Sequence, residues 1–229
     1  MFDLIVFDLD GTLVDSHRDI ANAANALVEE LGGTRLCDAA IAAMVGEGAA
    51  LLVRRALSAA GLDPATPGAL DRFLAHYDER LLEHTRPYPG TAQGLARLEG
   101  QLSMSVLTNK PQRPTERILE GLELRRYFGE VVGGDTPCGR KPSPAGLLRL
   151  VAAAGATPER TLMVGDSPID LQAARNAATR ICLVRYGFGY RFAAADFRGD
   201  ELFADSPADV FDAVTRPRPA LPEAGSTFV

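Results

Sequence analysis

The sequence predicts an α/β fold: a parallel sheet with helices on both faces, interrupted after its first strand by an all-helical insert. Three observations predict it. Short β-rich runs recur at Leu4–Phe7, 103–108, 130–133, 161–164 and 181–185. Helical patterns lie between most of them, and strands that alternate with helices build parallel sheets. Between Ser16 and Pro87, in contrast, nothing reads as a strand.

The first strand is an apolar run that stops at Asp8-Leu9-Asp10-Gly11-Thr12. In the insert, Ile20, Ala24, Leu27 and Leu31 repeat at helical spacing, and Gly32-Gly33 stops them. Residues 49–60 and 67–84 read as further helices, parted by Gly61. The chain rejoins the sheet near Pro87-Tyr88-Pro89-Gly90. Residues 144–155 place Leu147, Leu148, Leu150, Val151 and Ala154 on a broad apolar stripe. The expected division is a core of 1–16 with 86–215, a helical insert of 17–85, and an irregular, Pro-rich tail of 216–229.

Composition narrows the function classes. The chain has 229 residues and a net charge of −6, which argues against a nucleic-acid binder. No apolar run approaches the ~20 residues of a membrane helix, and the N-terminus lacks the pattern of a secretory leader. Cys37, Cys138 and Cys182 are widely spaced and form no CxxC, so they read as packed small residues in a reducing cytoplasm. The expected assembly is a monomer or homodimer. Of the 24 basic residues only two are lysines, Lys110 and Lys141. A lysine kept where arginine is the rule marks a site that needs a compact ammonium, unless both are leftovers of a biased genome.

Open parallel sheets bind ligands beyond the carboxyl ends of their strands. The residues there are Asp8, Asp10, Thr108, Asn109, Lys110, Asp135, Gly165, Asp166 and Ser167, with Lys141 on the loop before the helix at Pro144. Carboxylates that meet at strand ends repel unless a cation lies between them, and hard oxygen ligands left partly open suit Mg²⁺ and a phosphorylated substrate. Asp8 then reads as a nucleophile toward phosphorus and Asp10 as the proton carrier. The Thr108 hydroxyl, the Asn109 backbone N–H and the Lys141 ammonium read as ligands of the phosphoryl oxygens. The expected partner is a small phosphorylated metabolite.

These motifs resemble the haloacid dehalogenase superfamily in its phosphatase branch. DLDGT at 8–12, Thr108-Asn109, Lys141 in GRKPSP and GDSPID at 165–170 match its four motifs in order and spacing. LVDS at 13–16, VGEGAALLVRRAL at 45–57, TNKP at 108–111, VVGGD at 131–135 and YGFGY at 186–190 look like the bacterial phosphoglycolate phosphatases. The resemblance implies a Rossmann-like core with a helical cap inserted after the first motif. It implies Mg²⁺ held by Asp8, the Asp10 backbone carbonyl and Asp166, with Asp170 supporting the metal ligands or Lys141. Where the family has Gly after the alanine pair that ends the fourth-motif helix, this chain has Thr179 after Ala177-Ala178, which questions how that helix ends.

Each motif has a plainer reading beside it. Asp8 and Asp10 alone could form an Asx turn, and Asp166-Ser167-Pro168 a simple helix start. Lys110 reads as a surface or loop cation, and His17, His76 and His84 as surface residues. Rival activities are those of sugar phosphatases, pyrophosphatases and phosphoglucomutases of the same superfamily. A receiver-like signalling module shares Asp, Thr and Lys at strand ends, but has no cap and no second Asp two residues on. For specificity, Gly46-Glu47-Gly48 before the helix at 49–60 is expected to bind a substrate carboxylate, with Arg54 turned toward it.

Overall fold

The computed structural model describes residues 2–215, so the Pro-rich tail expected over 216–229 lies outside the described residues. Strand β1 (Leu4–Phe7) leads through the short β2 (Val14–Asp15) into four helices: α1 (His17–Glu30), α2 (Asp38–Ala42), α3 (Ala49–Ala59) and α4 (Ala69–Arg80). The chain returns through β3 (Arg86–Pro87) to α5 (Thr91–Leu98), β4 (Ser103–Leu107), α6 (Gln112–Gly121) and β5 (Glu130–Val132). Then follow α7 (Ala145–Ala153), β6 (Thr161–Gly165), α8 (Pro168–Asn176), β7 (Arg180–Val184), β8 (Leu202–Ala204) and α9 (Pro207–Thr215). The main sheet has six strands in the order β5-β4-β1-β6-β7-β8, every pairing parallel.

Alternation along the strands divides the core into two faces. Ile5, Phe7, Val106 and Val164 pack on one side with Leu95, Ile118 and Phe211 from α5, α6 and α9. Leu4, Val6, Leu107 and Met163 pack on the other with Leu147, Leu150 and Leu171 from α7 and α8. All four β1 residues are fully or nearly fully buried, as a central parallel strand covered on both faces requires. The first cluster runs on into the helical insert through Ile20, Leu27, Leu52, Val53 and Phe73. Each such side chain contributes about 1.5–3 kcal/mol of burial.

Pattern alone does not place α5, α6, β2 or β3, and each has a local reason. Gly94 interrupts α5, yet a Cβ there would lie 1.9 Å from the Phe211 ring, so the glycine is what lets α9 approach. Pro114 falls in the first turn of α6, where no intrahelical N–H is lost. Strands β2 and β3 are two residues each, too short to carry a period, and they pair antiparallel as the neck joining insert to core. Helix α8 ends with Ala178 in the left-handed conformation (φ 54°) and with the Thr179 N–H donating to Ala174. Ala178 thus takes the turn that a glycine would take more cheaply.

Candidate active site

Strand β1 delivers the two acidic residues through a tight turn. The Asp8 N–H donates to Val164 of β6 at 2.8 Å and so keeps Asp8 in the sheet. The Leu9 carbonyl then accepts from the backbone of Thr12, Leu13 and Val14, which folds Asp10 back toward Asp8. Gly11, at φ 85°, makes that turn; a Cβ on it would lie 2.0 Å from Asp166 Oδ2. The opening DLDGT therefore needs its glycine both for conformation and for room.

Behind Asp8 stands Lys141, its side chain only 2% exposed. Its Nζ lies 2.7 Å from Asp8 Oδ1 and 2.6 Å from Asp170 Oδ1. Asp170 is fully buried, and its other oxygen accepts from the Ser167 N–H and hydroxyl in a capping box at the start of α8. Asp166 is 2% exposed and accepts from the Gly189 N–H at 2.7 Å. The segment 186–190 thus wraps the acidic cluster, and the Tyr186 hydroxyl reaches the Thr12 carbonyl. Thr108 is buried at the end of β4, its hydroxyl accepting from the Lys110 N–H. The Asn109 amide donates to the carbonyls of Gly46 and Lys141, tying the insert to the core.

One cavity opens over these groups. Asp8, Asp10, Thr108, Asn109, Lys110 and Asp166 form its floor, and Ile20, Val45, Gly46, Gly48, Leu52, Phe73, Leu74 and Tyr77 of the insert form its roof. Gly46 and Gly48 therefore sit where a substrate-binding loop is expected, while Glu47 and Arg54 do not line the cavity. Glu47 pairs outward with Arg55 at 2.7 Å, and Arg54 is exposed on α3. Asp135 is exposed and accepts from the Gln112 N–H, capping α6 instead of joining the cluster.

Lys110 corrects the sequence reading most sharply. It lies on the loop after β4 but is no surface cation: it is buried, with Nζ 2.9 and 3.0 Å from the two Asp10 oxygens. Ser16 also donates to Asp10. His84 is half-buried against Asp19, where a surface residue is expected. A signal for Lys110 was in the sequence, since both of the chain's lysines prove to be buried among the strand-end carboxylates.

Charge and donor type together test whether a divalent cation fits. Asp8, Asp166 and Asp170 each offer an oxygen within 4.8 Å of the others, and all are buried. Lys141 is the ammonium paired within this trio, because Lys110 is taken by Asp10. Burial pushes the Asp8 carboxyl up to about 6, against the pull of Lys141 and with the help of Asp170. Burial, then Asp170 and Asp8, hold Asp166 well above the usual carboxylate range. Burial works to lower Lys141, but Asp170 and Asp8 outweigh it and hold the ammonium above its ordinary range. Such a set of hard, buried, under-compensated oxygens fits a divalent cation. Asp170 has both oxygens engaged, so Asp8 and Asp166 are the side chains free to take it.

Comparisons with known proteins agree with this geometry. Residues 5–184 match the family model described as haloacid dehalogenase-like hydrolase. The chain is 40% identical to a phosphoglycolate phosphatase of Rhodospirillum rubrum, over 97% of this chain and 95% of the relative. It is 41% identical to one of Chromobacterium violaceum, over 91% and 94%. Among solved structures, a predicted phosphoglycolate phosphatase from Haemophilus somnus 129PT superposes with a TM-score of 0.86 at 31% identity, over 93% of this chain and 98% of that one.

Proposed function

The chain belongs to the haloacid dehalogenase-like hydrolase family, and from that premise we propose that it is a Mg²⁺-dependent phosphomonoester hydrolase acting on 2-phosphoglycolate. The observation that carries the reading is one cavity in which Asp8, backed by Lys141, faces Asp10 across a single turn. In this reading 17–85 act as the cap over a core of 1–16 and 86–215. The protein then works in the cytoplasm on a small metabolite, with no nucleic acid or membrane partner. Among the described residues no helix is long and apolar enough to cross a membrane.

Asp8 attacks phosphorus in line, the ester P–O bond breaks, and an aspartyl phosphate forms. Asp10 gives its proton to the departing alkoxide oxygen, then takes one from the water that attacks the aspartyl phosphate and frees inorganic phosphate. The Thr108 hydroxyl, the Asn109 N–H and the Lys141 ammonium hold the phosphoryl oxygens, where charge stays high through both steps. Asp170 and Ser167 keep Lys141 aimed at Asp8. Asp8, the Asp10 carbonyl and Asp166 would hold Mg²⁺, whose charge would keep Asp8 ionised and offset its repulsion with the phosphate.

The apolar roof favours a small substrate. Sugar hydroxyls facing Leu52, Phe73 and Leu74 would lose water without gaining partners. The test is phosphate release from a panel of 2-phosphoglycolate, hexose phosphates, pyrophosphate and an aryl phosphate, with and without Mg²⁺. We expect 2-phosphoglycolate to give the highest kcat/KM, and only with metal. A hexose phosphate or pyrophosphate ranking first would move the assignment to that substrate. A phosphoaspartate that persists without turnover would make the chain a signalling module.

A further inference from the structure

We infer that Lys110, together with the Tyr77 hydroxyl of the cap, reads a carboxylate on the leaving group, and so selects phosphate esters of short 2-hydroxy acids. The inference rests on the phosphatase reading above and assigns specificity to groups that reading leaves unused. Lys110 is the one cationic side chain lining the cavity among the described residues. Lys141 lies behind Asp8 and serves the phosphoryl end.

Position argues for the leaving-group side. Lys110 Nζ sits 2.9 and 3.0 Å from the two oxygens of Asp10, the group that protonates the departing oxygen. An ester oxygen hydrogen-bonded to Asp10 therefore lies within roughly 6 Å of the ammonium. A carboxylate joined to that oxygen through one carbon reaches about 3 Å further, which brings it to hydrogen-bond distance of Nζ. A neutral alkyl group offers the ammonium nothing.

An independent observation comes from the cap. Tyr77 is 3% exposed and lines the same cavity, and apart from the Lys110 ammonium beside it its hydroxyl has no hydrogen-bond partner among the described residues. A buried hydroxyl that faces only a cation in a binding cavity has its proton available for a ligand acceptor. Lys110 Nζ lies 4.6 Å from the centre of the Tyr77 ring, so ammonium and phenol share one corner of the site, one from the core and one from the cap. Leu52, Phe73 and Leu74 line the same cavity, and apolar walls strengthen a charged contact.

The experiment separates binding from turnover. Calorimetry on Asp8→Asn with Mg²⁺ measures the affinities for 2-phosphoglycolate and for ethyl phosphate, which lacks the carboxylate. We expect Asp8→Asn to hold the acid at least tenfold more tightly. Adding Lys110→Met should erase that ratio by about 10- to 100-fold, the worth of a charge-assisted bond. Adding Tyr77→Phe, which keeps the packing, should cut it about 3- to 10-fold. Parallel weakening of both ligands by Lys110→Met overturns the inference, since Lys110 then serves Asp10 alone. So does a ratio near one before either substitution, or a ratio that survives both. If the unmodified chain releases phosphate from no ester at all, the phosphatase reading fails, and the binding ratio still decides for or against Lys110.

Discussion

A carboxylate attacks phosphorus only while it is ionised and held still. At the residue scale both conditions rest on the contacts of Asp8: Lys141 on one oxygen, and a place in the sheet through its N–H. Replacing it by asparagine preserves shape and removes the carboxylate that serves as nucleophile in the proposed route. Asp8→Asn should keep its far-UV spectrum and lose phosphate release by several orders of magnitude; substantial turnover in the folded variant would sink the covalent route. The proposed route gives Asp10 a different duty. Asp10→Asn should slow formation of the aspartyl phosphate more for alkyl than for aryl phosphates, because a good leaving group needs less protonation. Pre-steady-state kinetics on both substrate types would show equal losses if Asp10 carried no proton.

At the scale of elements, what closes the base of the cap is as telling as the acidic cluster. Asp19, in the first turn of α1, is fully buried. It accepts from the His84 and Thr85 N–H groups, the Thr85 hydroxyl and the His84 ring, so the start of the cap is fastened to its end. Burial acts to raise the Asp19 carboxyl, but these donors, the His84 N–H foremost, outweigh it and hold it below the usual range. A lowered folded pKa means that the stabilisation is complete above about pH 4, the ordinary Asp value, and is lost as pH falls. Asp19→Ala should lower stability by about 2–4 kcal/mol in denaturant melts at pH 7 by leaving several donors unpaired, and should flatten the decline toward acid. An unchanged acid limb in Asp19→Ala would show that the clamp carries no such proton linkage. This fastening was not legible in the sequence. Residues 19 and 84 are 65 apart, and no local pattern says that a turn-one aspartate will meet them. The acidic strand ends were legible because strand, turn and helix start are local. Lys110 was legible only as a compositional oddity, since the direction of a loop side chain depends on the cap folded above it.

For the whole molecule, the proposed cation site in the buried acidic cluster ties metal binding to stability. A ligand that binds only the folded state stabilises by about 2.7 kcal/mol at one hundred times its dissociation constant. For a chain of this size that corresponds to a rise in Tm of roughly 5–10 °C. Mg²⁺ should produce such a rise, Asp166→Ala should abolish it, and chelator should reverse it. A melting curve indifferent to Mg²⁺ would remove the metal from the cluster. The same sheet sets a timetable. β1 pairs on one side with β4, Leu4 opposite Ser103, and on the other with β6, Leu4 opposite Thr161. Its neighbours thus leave the ribosome about one hundred and about one hundred and sixty residues after it. The helical cap, built from nearby contacts, lies wholly in between. During synthesis the cap is free to form while Leu-Ile-Val-Phe stays an unpaired, sticky segment. The strand that ends at Asp8 is thus the one that stays longest without a partner as the chain emerges.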